Sequence, residues 1–215
     1  GGGNLNSNSN SNSNLNLNSF KIFSVNRSNR IRPITWEEKT DSVGVILKKN
    51  YKVFGAFRRL STPNFWRLHY LDIYNKIELI PCDLTDSRSI SECLNKSNPD
   101  EVYHLGAQSF VGVSFDQPLY TNDVTGLGTV RILDEIKRNK KKIKFYQASS
   151  SEMYGSESSK IKNESTPFNP SSPYAISKLY AHWTVNLYRK AYGIHATSGI
   201  LFNHESSLRG LEFVT

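Results

Sequence analysis

The segment from Gln147 to Lys178 carries side chains whose types and spacing suit proton transfer at a sugar hydroxyl. In it Tyr174 precedes Lys178 by four residues, and on a helix residues four apart share one face. A nearby ammonium favours a phenolate, so the pattern predicts a tyrosine of lowered pKa that removes a hydroxyl proton near neutral pH. Of the eleven tyrosines in the sequence, only Tyr174 has a lysine at this spacing. The alternative is an exposed tyrosine and lysine on an amphipathic helix.

A short strand with a serine-rich end precedes this pair. Residues 143–148 read as a parallel strand, and Ser150 and Glu152 follow it with a hydroxyl and a carboxylate. Ligand sites of open α/β sheets lie at the carboxyl ends of the strands. We therefore expect Ser150, Glu152 and Tyr174 to come together at one edge of a sheet.

Short apolar runs alternate with longer amphipathic segments from about Tyr51 onward. This alternation predicts an α/β fold, namely a Rossmann-like doubly wound parallel sheet that is incomplete at both ends. Thr85 and Asp86 suit a helix start, and Gly193 suits a helix end. The predicted strands are 51–57, 77–82, 101–105, 143–148 and 196–202, and the predicted helices are 88–96, 119–139 and 173–192.

Residues 1–30 differ in composition from residues 31–215. Asparagine occupies every even position from Asn4 to Asn18, with serine or leucine between. Such a tract cannot bury enough apolar area to offset the entropy of ordering. We therefore predict a disordered Asn/Ser-rich tail over residues 1–30 and a folded domain over 31–215.

Composition limits the remaining classes of function. The net charge is +8 and 37% of residues are hydrophobic, yet the sequence has neither an apolar run of transmembrane length nor a nucleic-acid-binding motif. Cys82 and Cys93 do not form a CxxC pair and the five histidines lack ligand spacing, so no metal site is predicted. Two cysteines without a signal-peptide pattern favour the cytoplasm, with no membrane and no nucleic acid as partner.

Several strings of residues carry a resemblance to a known family. From about Ile31 to Thr215 the sequence resembles the GDP-mannose 4,6-dehydratases of the extended short-chain dehydrogenase/reductase superfamily, through RRLSTPNFWRL, DLTD, HLGAQSFVGVSF, QASSSEMYG, SSPYAISKLYAHW and GILFNHESSLRG. The resemblance implies conversion of GDP-mannose to GDP-4-dehydro-6-deoxymannose with NADP, by a homo-oligomer. It also implies that 31–215 is an NADP-binding domain with the start of a truncated substrate domain. Glu152 disfavours a sugar-nucleotide epimerase, which usually carries an apolar residue there.

The resemblance further implies roles for the site residues. Tyr174 takes the proton of the 4-hydroxyl and Lys178 holds the nicotinamide ribose, while Ser150 orients the sugar and Glu152 removes the C5 proton. The twin arginines after the second strand of the family pattern would select the 2′-phosphate of NADP, the alternative being a surface basic pair. The positions similar to coenzyme contacts are Arg58, Arg59, Asp83, Leu84, Leu105, Gly106, Ala107, Gln108, Ser109, Tyr120, Lys178, His204 and Arg209.

The glycine-rich turn of the family is where this sequence departs from the pattern. Relatives carry TGxTGQDG after the first strand, whereas here Pro33, Trp36 and Lys39 stand at the glycine positions. Proline donates no N–H, an indole fills space that phosphates need, and residues other than glycine resist positive φ. The alternative function is therefore an inactive remnant of the same family that does not bind NADP.

Overall fold

The computed structural model describes residues 22–26, 47, 51–62, 64–139, 141–155 and 161–203, with the backbone alone described for 22–26. Within these ranges the strands are β1 (Ile22–Asn26), β2 (Lys52–Phe57), β3 (Glu78–Pro81), β4 (Glu101–His104), β5 (Lys144–Ser150) and β6 (Ala196–Leu201). They form a six-stranded sheet of order β3-β2-β1-β4-β5-β6. This is the strand order of a Rossmann sheet.

Helices connect the strands, and their positions confirm the predicted alternation. A π-helical turn, Asp123–Leu127, interrupts the segment that the sequence predicted as one helix over 119–139. No helix among the described residues is long and apolar enough to span a membrane. The helices are α1 (Trp66–Tyr70), α2 (Ser87–Ser97), α3 (Val111–Asp116), α4 (Pro118–Asn122), α5 (Gly128–Arg138) and α6 (Pro173–Tyr192), and short 3-10 turns lie at Tyr74–Lys76 and Ser151–Tyr154.

The central strand β1 is reversed relative to its neighbours. It pairs antiparallel with both β2 and β4, whereas the pairs β2–β3, β4–β5 and β5–β6 are parallel. Ile22 lies opposite His104, the last residue of β4, and Asn26 lies opposite Lys52, the first residue of β2. The chain therefore enters β1 at the edge where the parallel strands end and leaves it at the opposite edge.

This strand corrects two expectations from the sequence. The sheet is not wholly parallel, and residues 22–26 form a strand although they fall in the segment predicted as disordered; the remainder of that segment lies outside the described residues. The asparagine tract ends at Asn18, and Ile22, Phe23 and Val25 are residue types that favour strands. An empty position between β2 and β4 would leave two rows of backbone donors and acceptors unpaired, and β1 satisfies both rows.

Apolar residues cover both faces of the sheet. On one face Phe54 and Phe145 pack in a cluster with Leu133 of α5, to which α2 and α6 also contribute. On the other face Val53 packs with Leu68 of α1. Burial on both faces explains why β2 reads as a nearly continuous apolar run rather than as an alternating one.

Specific caps fix where the helices begin and end. The Asp86 side chain accepts a hydrogen bond from the backbone N–H of Arg88 (2.9 Å), and Gly193 ends α6 with a left-handed φ of 65°, as the sequence predicted. At the start of α6 the Ser172 hydroxyl accepts from the N–H of Ala175 (3.0 Å). This cap and Pro173 place Tyr174 in the first turn of α6.

A serine–histidine contact joins β5 to α6. The Ser149 hydroxyl lies 3.0 Å from Nδ1 of His182, and the ring of Phe168 packs edge-on against the imidazole at 5.5 Å between centroids. Burial lowers the pKa of His182, and the charge of Arg189 acts in the same direction. The folded state therefore favours the neutral imidazole.

Replacement of Ser24 by proline tests whether β1 completes the sheet. Ser24 lies opposite Phe54 on one side and Val102 on the other, and proline removes its backbone donor. Leaving a partner carbonyl unsatisfied should lower the free energy of unfolding by about 1–3 kcal/mol. Urea denaturation measures this change, with Ser13→Pro in the asparagine tract as the control. An equal, small effect of both substitutions would contradict the pairing.

The lowered pKa of His182 predicts a contribution to the pH dependence of stability. As pH falls below about 6.5, the unfolded chain takes up a proton that the folded protein takes up less readily, so folding is weakened by at most about 1.4 kcal/mol per pH unit. His182→Gln keeps a hydrogen-bonding group beside Ser149 without a titration in this range. Between pH 7.5 and pH 5.5, the free energy of unfolding should therefore fall more in the natural chain than in the variant. Identical decreases would show that His182 does not contribute.

Candidate active site

The carboxyl ends of the parallel strands bring most of the predicted site segments to one edge of the sheet. Phe57 at the end of β2 lies beside Pro81 of β3, and Ser150 at the end of β5 lies beside Leu201 of β6. The segments that follow β2, β3 and β4 contain the predicted coenzyme contacts from Arg58 to Ser109. The structure therefore places these contacts and the predicted catalytic residues along the same edge.

Three of the predicted catalytic residues converge at the end of β5. Tyr174 is 9% exposed. Burial raises its pKa to about 12, a hydrogen bond with the Ser150 side chain acts against this shift, and the negative charge of Glu152 adds to it. Both the hydroxyl of Ser150 and the carboxylate of Glu152 are therefore close enough to the phenol of Tyr174 to affect its pKa. The end of β5 thus holds the hydroxyl of Ser150 together with two candidate bases, the phenol of Tyr174 and the carboxylate of Glu152.

The turn that carries Glu152 is held from several sides. The Ser150 hydroxyl accepts a hydrogen bond from the N–H of Glu152 (3.2 Å), which begins the 3-10 turn. The next residue, Met153, is fully buried, and the hydroxyl of Tyr154 donates to the carbonyl of Asn163 (2.9 Å). Gly155 then leaves the turn with a φ of 78°, a conformation that favours glycine. The backbone position of Glu152 is therefore fixed by its surroundings.

Lys178 is buried in the same region but does not lower the pKa of Tyr174 as the sequence predicted. Lys178 is 3% exposed, and its ammonium donates to the carbonyl of Ala148 (2.8 Å) and lies 5.8 Å from the centre of the Tyr174 ring. Burial of the phenol outweighs the favourable environment expected from the cation. The spacing did predict correctly that both side chains share one face of a helix, and in the structure that face packs on β5.

At the far end of the edge the structure pairs two predicted coenzyme residues. Arg58 follows β2, and its guanidinium hydrogen-bonds the hydroxyl of Tyr120 and lies 6.0 Å from the centre of that ring. Tyr120 belongs to α4, and Arg59 is exposed. An exposed guanidinium held by a neighbouring ring is a preorganised partner for a phosphate.

Asp83 and Leu84 form the turn after β3. The Asp83 carboxylate accepts from both the N–H and the hydroxyl of Thr85, at 2.9 and 2.8 Å. Leu84 packs so closely on the next turn that a Cβ added at Gly106 would lie 2.7 Å from Leu84 Cδ1. Only glycine fits at position 106 without a shift of Leu84.

The segment after β4 is anchored to the π-helical turn. The N–H of Gln108 donates to the hydroxyl of Thr125 (3.1 Å), and its side-chain amide forms hydrogen bonds with both backbone groups of Phe110. Ala107 and Gln108 are 4% and 2% exposed. The predicted contacts Leu105, Gly106, Ala107, Gln108 and Ser109 thus lie on a backbone fixed by buried hydrogen bonds.

Not every predicted position can be placed, and some supporting residues were not predicted. His204, Arg209 and the residues at the glycine positions of the family turn lie outside the described residues. Three supporting residues have no marker in the sequence, and their partners lie 17, 47 and 33 residues away: Thr125, Arg131 and His182. No local pattern marks such contacts, since each depends on how distant segments pack.

Comparison with known proteins agrees with this geometry. The sequence matches the family model described as GDP-mannose 4,6 dehydratase over residues 42–215. A GDP-mannose 4,6-dehydratase of Vibrio cholerae is 46% identical over 194 residues, covering 86% of this chain and 52% of that protein. The chain thus spans about half the length of the curated relatives it matches.

Two solved structures show where the fold recurs. The UDP-glucose 4-epimerase of Thermus thermophilus, in complex with NAD, is similar with a TM-score of 0.64 at 24% identity, covering 73% of this chain and 49% of that one. RMD of Pseudomonas aeruginosa, complexed with NADPH, gives a TM-score of 0.52 at 27% identity, covering 60% and 47%. The fold and the family match agree, and the chain belongs to the GDP-mannose 4,6-dehydratase family.

Proposed function

We propose that the protein acts in the NADP-dependent conversion of GDP-mannose to GDP-4-dehydro-6-deoxymannose. The observation that carries the proposal is the convergence of Ser150, Glu152 and Tyr174 at the carboxyl end of β5. A phenol and a separate carboxylate at one place suit two successive proton transfers, one from the 4-hydroxyl and one from C5 of the same sugar. The family membership supports the same substrate.

The described residues fit NADP at both of its ends. Arg58 and Arg59 follow β2, where an arginine accommodates the 2′-phosphate of NADP. Lys178 and Tyr174 lie at the opposite end of the edge, beside β5, in positions suited to the nicotinamide ribose. Between these two ends lies the backbone after β4. Because Gly106 packs tightly against Leu84 and has no side chain, that backbone is left uncovered at this residue. NADP would supply the acceptor for the hydride of C4 and the donor of that hydride to C6.

The first proton transfer belongs to Tyr174. In its phenolate form Tyr174 takes the proton of the sugar 4-hydroxyl, while Ser150, already hydrogen-bonded to Tyr174, orients the sugar oxygen. A phenol with a pKa of about 12 is protonated at neutral pH, so its phenolate must be stabilised when it forms. The ammonium of Lys178, 5.8 Å from the ring centre, provides opposite charge for this purpose.

The second transfer belongs to Glu152. Once C4 is a ketone, the proton on C5 is acidic, and the carboxylate of Glu152 removes it. The hydroxyl of C6 leaves with that proton as water, which returns Glu152 to its ionised form. The proton that Tyr174 took from the 4-hydroxyl would return to C5 as C6 is reduced. Both residues therefore end the reaction in their starting forms. The fixed backbone of the Ser151–Tyr154 turn supports the role of Glu152, because it holds this carboxylate near Tyr174.

A second candidate, an inactive remnant of the family, is favoured by the reversed strand β1. The carboxyl end of β1, at Asn26, lies at the edge opposite the site. In a Rossmann sheet the first strand runs parallel and delivers the phosphate-binding turn to the site edge. Binding of NADP therefore decides between the two functions, and calorimetric titration of the purified chain with NADP is the first measurement.

Substitution of the two proposed bases tests the chemistry. Conversion of GDP-mannose should fall by about 10²–10⁴ in Tyr174→Phe and in Glu152→Gln, because each removes one positioned proton-transfer group. Glu152→Gln should still exchange hydride at C4, whereas Tyr174→Phe should not. Product analysis by mass spectrometry and coenzyme absorbance at 340 nm separate these outcomes.

Matched variants control for loss of a carboxylate or a phenol elsewhere. Glu164 lies on an exposed turn, and Tyr192 lies at the exposed end of α6. The variants Glu164→Gln and Tyr192→Phe should both retain full conversion. Full dehydration by Glu152→Gln would remove its proposed role. If the natural chain does not bind NADP even at millimolar concentration, the inactive remnant is supported instead.

We also propose that the protein forms a homo-oligomer through α6. Four large apolar side chains of this helix are exposed at helical spacing: Ile176 (56%), Tyr180 (46%), Trp183 (54%) and Leu187 (59%). Leu119 of α4 is 86% exposed, and α4 packs beside α6. A standard interface needs about 800 Å² from each partner, and an apolar helix face repeated on a second copy is self-complementary about a two-fold axis.

A charge placed in this apolar face should disrupt the oligomer. Trp183→Glu introduces a carboxylate that would be desolvated between copies, so the chain should become monomeric. Analytical ultracentrifugation measures the mass, with Lys142→Glu, an exposed residue outside this helix, as the charge-changing control. A monomeric natural chain, or an unchanged mass for Trp183→Glu, would contradict the proposed interface.

The free thiols support a proposed location. Cys82 and Cys93 are both buried and unbridged. Such thiols are usual in a reducing compartment, and we propose the cytoplasm.

A further inference from the structure

One arginine of α5 holds the turn that follows β3. Arg131 donates from Nη1 to the carbonyl of Leu84 (2.9 Å) and to the carbonyl of Asp123 (3.1 Å). Its Nη2 forms an ion pair with the Asp123 carboxylate (2.6 Å), and 22% of the Arg131 side chain is exposed. Three hydrogen bonds from one planar group therefore join α5, the π-helical turn and the β3 turn.

The side chain of Leu84 is confined as closely as its carbonyl. A Cβ at Gly106 would lie 2.7 Å from Leu84 Cδ1, and a Cβ at Gly128 would lie 3.1 Å from Leu84 Cβ. The β4 turn and the start of α5 thus close on Leu84 from two directions. Arg131 supplies the remaining constraint, because it fixes the direction of the Leu84 carbonyl and with it the adjoining peptide planes.

The π-helical turn explains why arginine is suited to this position. The Asp123 carbonyl accepts both the N–H of Gly128, which caps the turn, and the guanidinium of Arg131. The Asp123 carboxylate faces the same guanidinium. A lysine ammonium carries the charge but cannot present two nitrogens in a fixed plane to acceptors on two segments.

We propose that Arg131 is a positioning residue for the adenine end of the coenzyme. This inference rests on the proposed function, which places the coenzyme along the edge where Asp83 and Leu84 lie. Arg131 acts through the backbone of Leu84 and is not itself a contact of the coenzyme. The proposed function puts the nicotinamide end beside β5 and α6, whereas the hydrogen bonds of Arg131 go to the β3 turn and the π-helical turn.

The inference predicts a selective loss of affinity. In Arg131→Ala and Arg131→Lys, adenosine 2′,5′-bisphosphate and NADP should bind about tenfold more weakly, the equivalent of one charge-assisted hydrogen bond. Nicotinamide mononucleotide, which lacks the adenine end, should keep its affinity. Calorimetry for the tight ligands and saturation-transfer NMR for the weak one supply the dissociation constants, with urea denaturation of each variant alongside.

Arg138→Ala is the matched control, because it removes an arginine of the same helix whose side chain is exposed and pairs with Asp134 and Glu135. It should change the affinity for none of the three ligands. Arg131→Lys keeps the charge and guards against loss of folding in Arg131→Ala. Parallel weakening of nicotinamide mononucleotide and the bisphosphate would show a general structural role and overturn the inference.

The outcomes also separate this inference from the function on which it rests. If the natural chain binds NADP and Arg131→Lys binds it equally well, the positioning role is wrong while the proposed function stands. If the natural chain binds neither NADP nor the bisphosphate, both fall together.

Discussion

The contact between a buried ammonium and a strand carbonyl is the constraint on which the site depends. A charge is stable inside a protein only when hydrogen bonds replace its water, and Lys178 meets this requirement at the carbonyl of Ala148, 2.8 Å away. The bond fixes α6 on β5. It therefore fixes Tyr174, one helical turn before Lys178, relative to Ser150 at the strand end. The hydroxyl of Ser149 adds a second link one turn further on, at His182.

The same junction explains the electrostatics of the candidate base. Packing α6 against β5 buries the phenol of Tyr174 and brings the carboxylate of Glu152 near it, and both effects oppose ionisation. The Ser150 hydrogen bond acts in the other direction. The burial that gives Tyr174 its position therefore also makes its phenolate harder to form. A group of opposite charge nearby, such as Lys178, is thus part of what the geometry requires.

The central strand β1 supplies the hydrogen-bond partners that the backbones of β2 and β4 need. Position and direction are separate properties of a strand: β1 occupies the position of a first Rossmann strand but runs the other way. Either direction satisfies the backbone groups of β2 and β4, so hydrogen bonding alone does not select between them. Direction matters for function, since it decides which end of the strand reaches the site. The described β1 brings Ile22, its first residue, to that edge.

Local sequence patterns were enough to predict the alternation of strands and helices, the caps at Asp86 and Gly193, and the Tyr174–Lys178 pair, because these depend on periodicity and on residues close in the chain. The resemblance of the QASSSEMYG string to the family also indicated Glu152. The fold was needed to reveal three further features: the reversed direction of β1, the raised pKa of Tyr174 and the contact of Arg131 with Leu84. Each of these results from packing between segments far apart in the sequence, where burial and competing partners outweigh local preference.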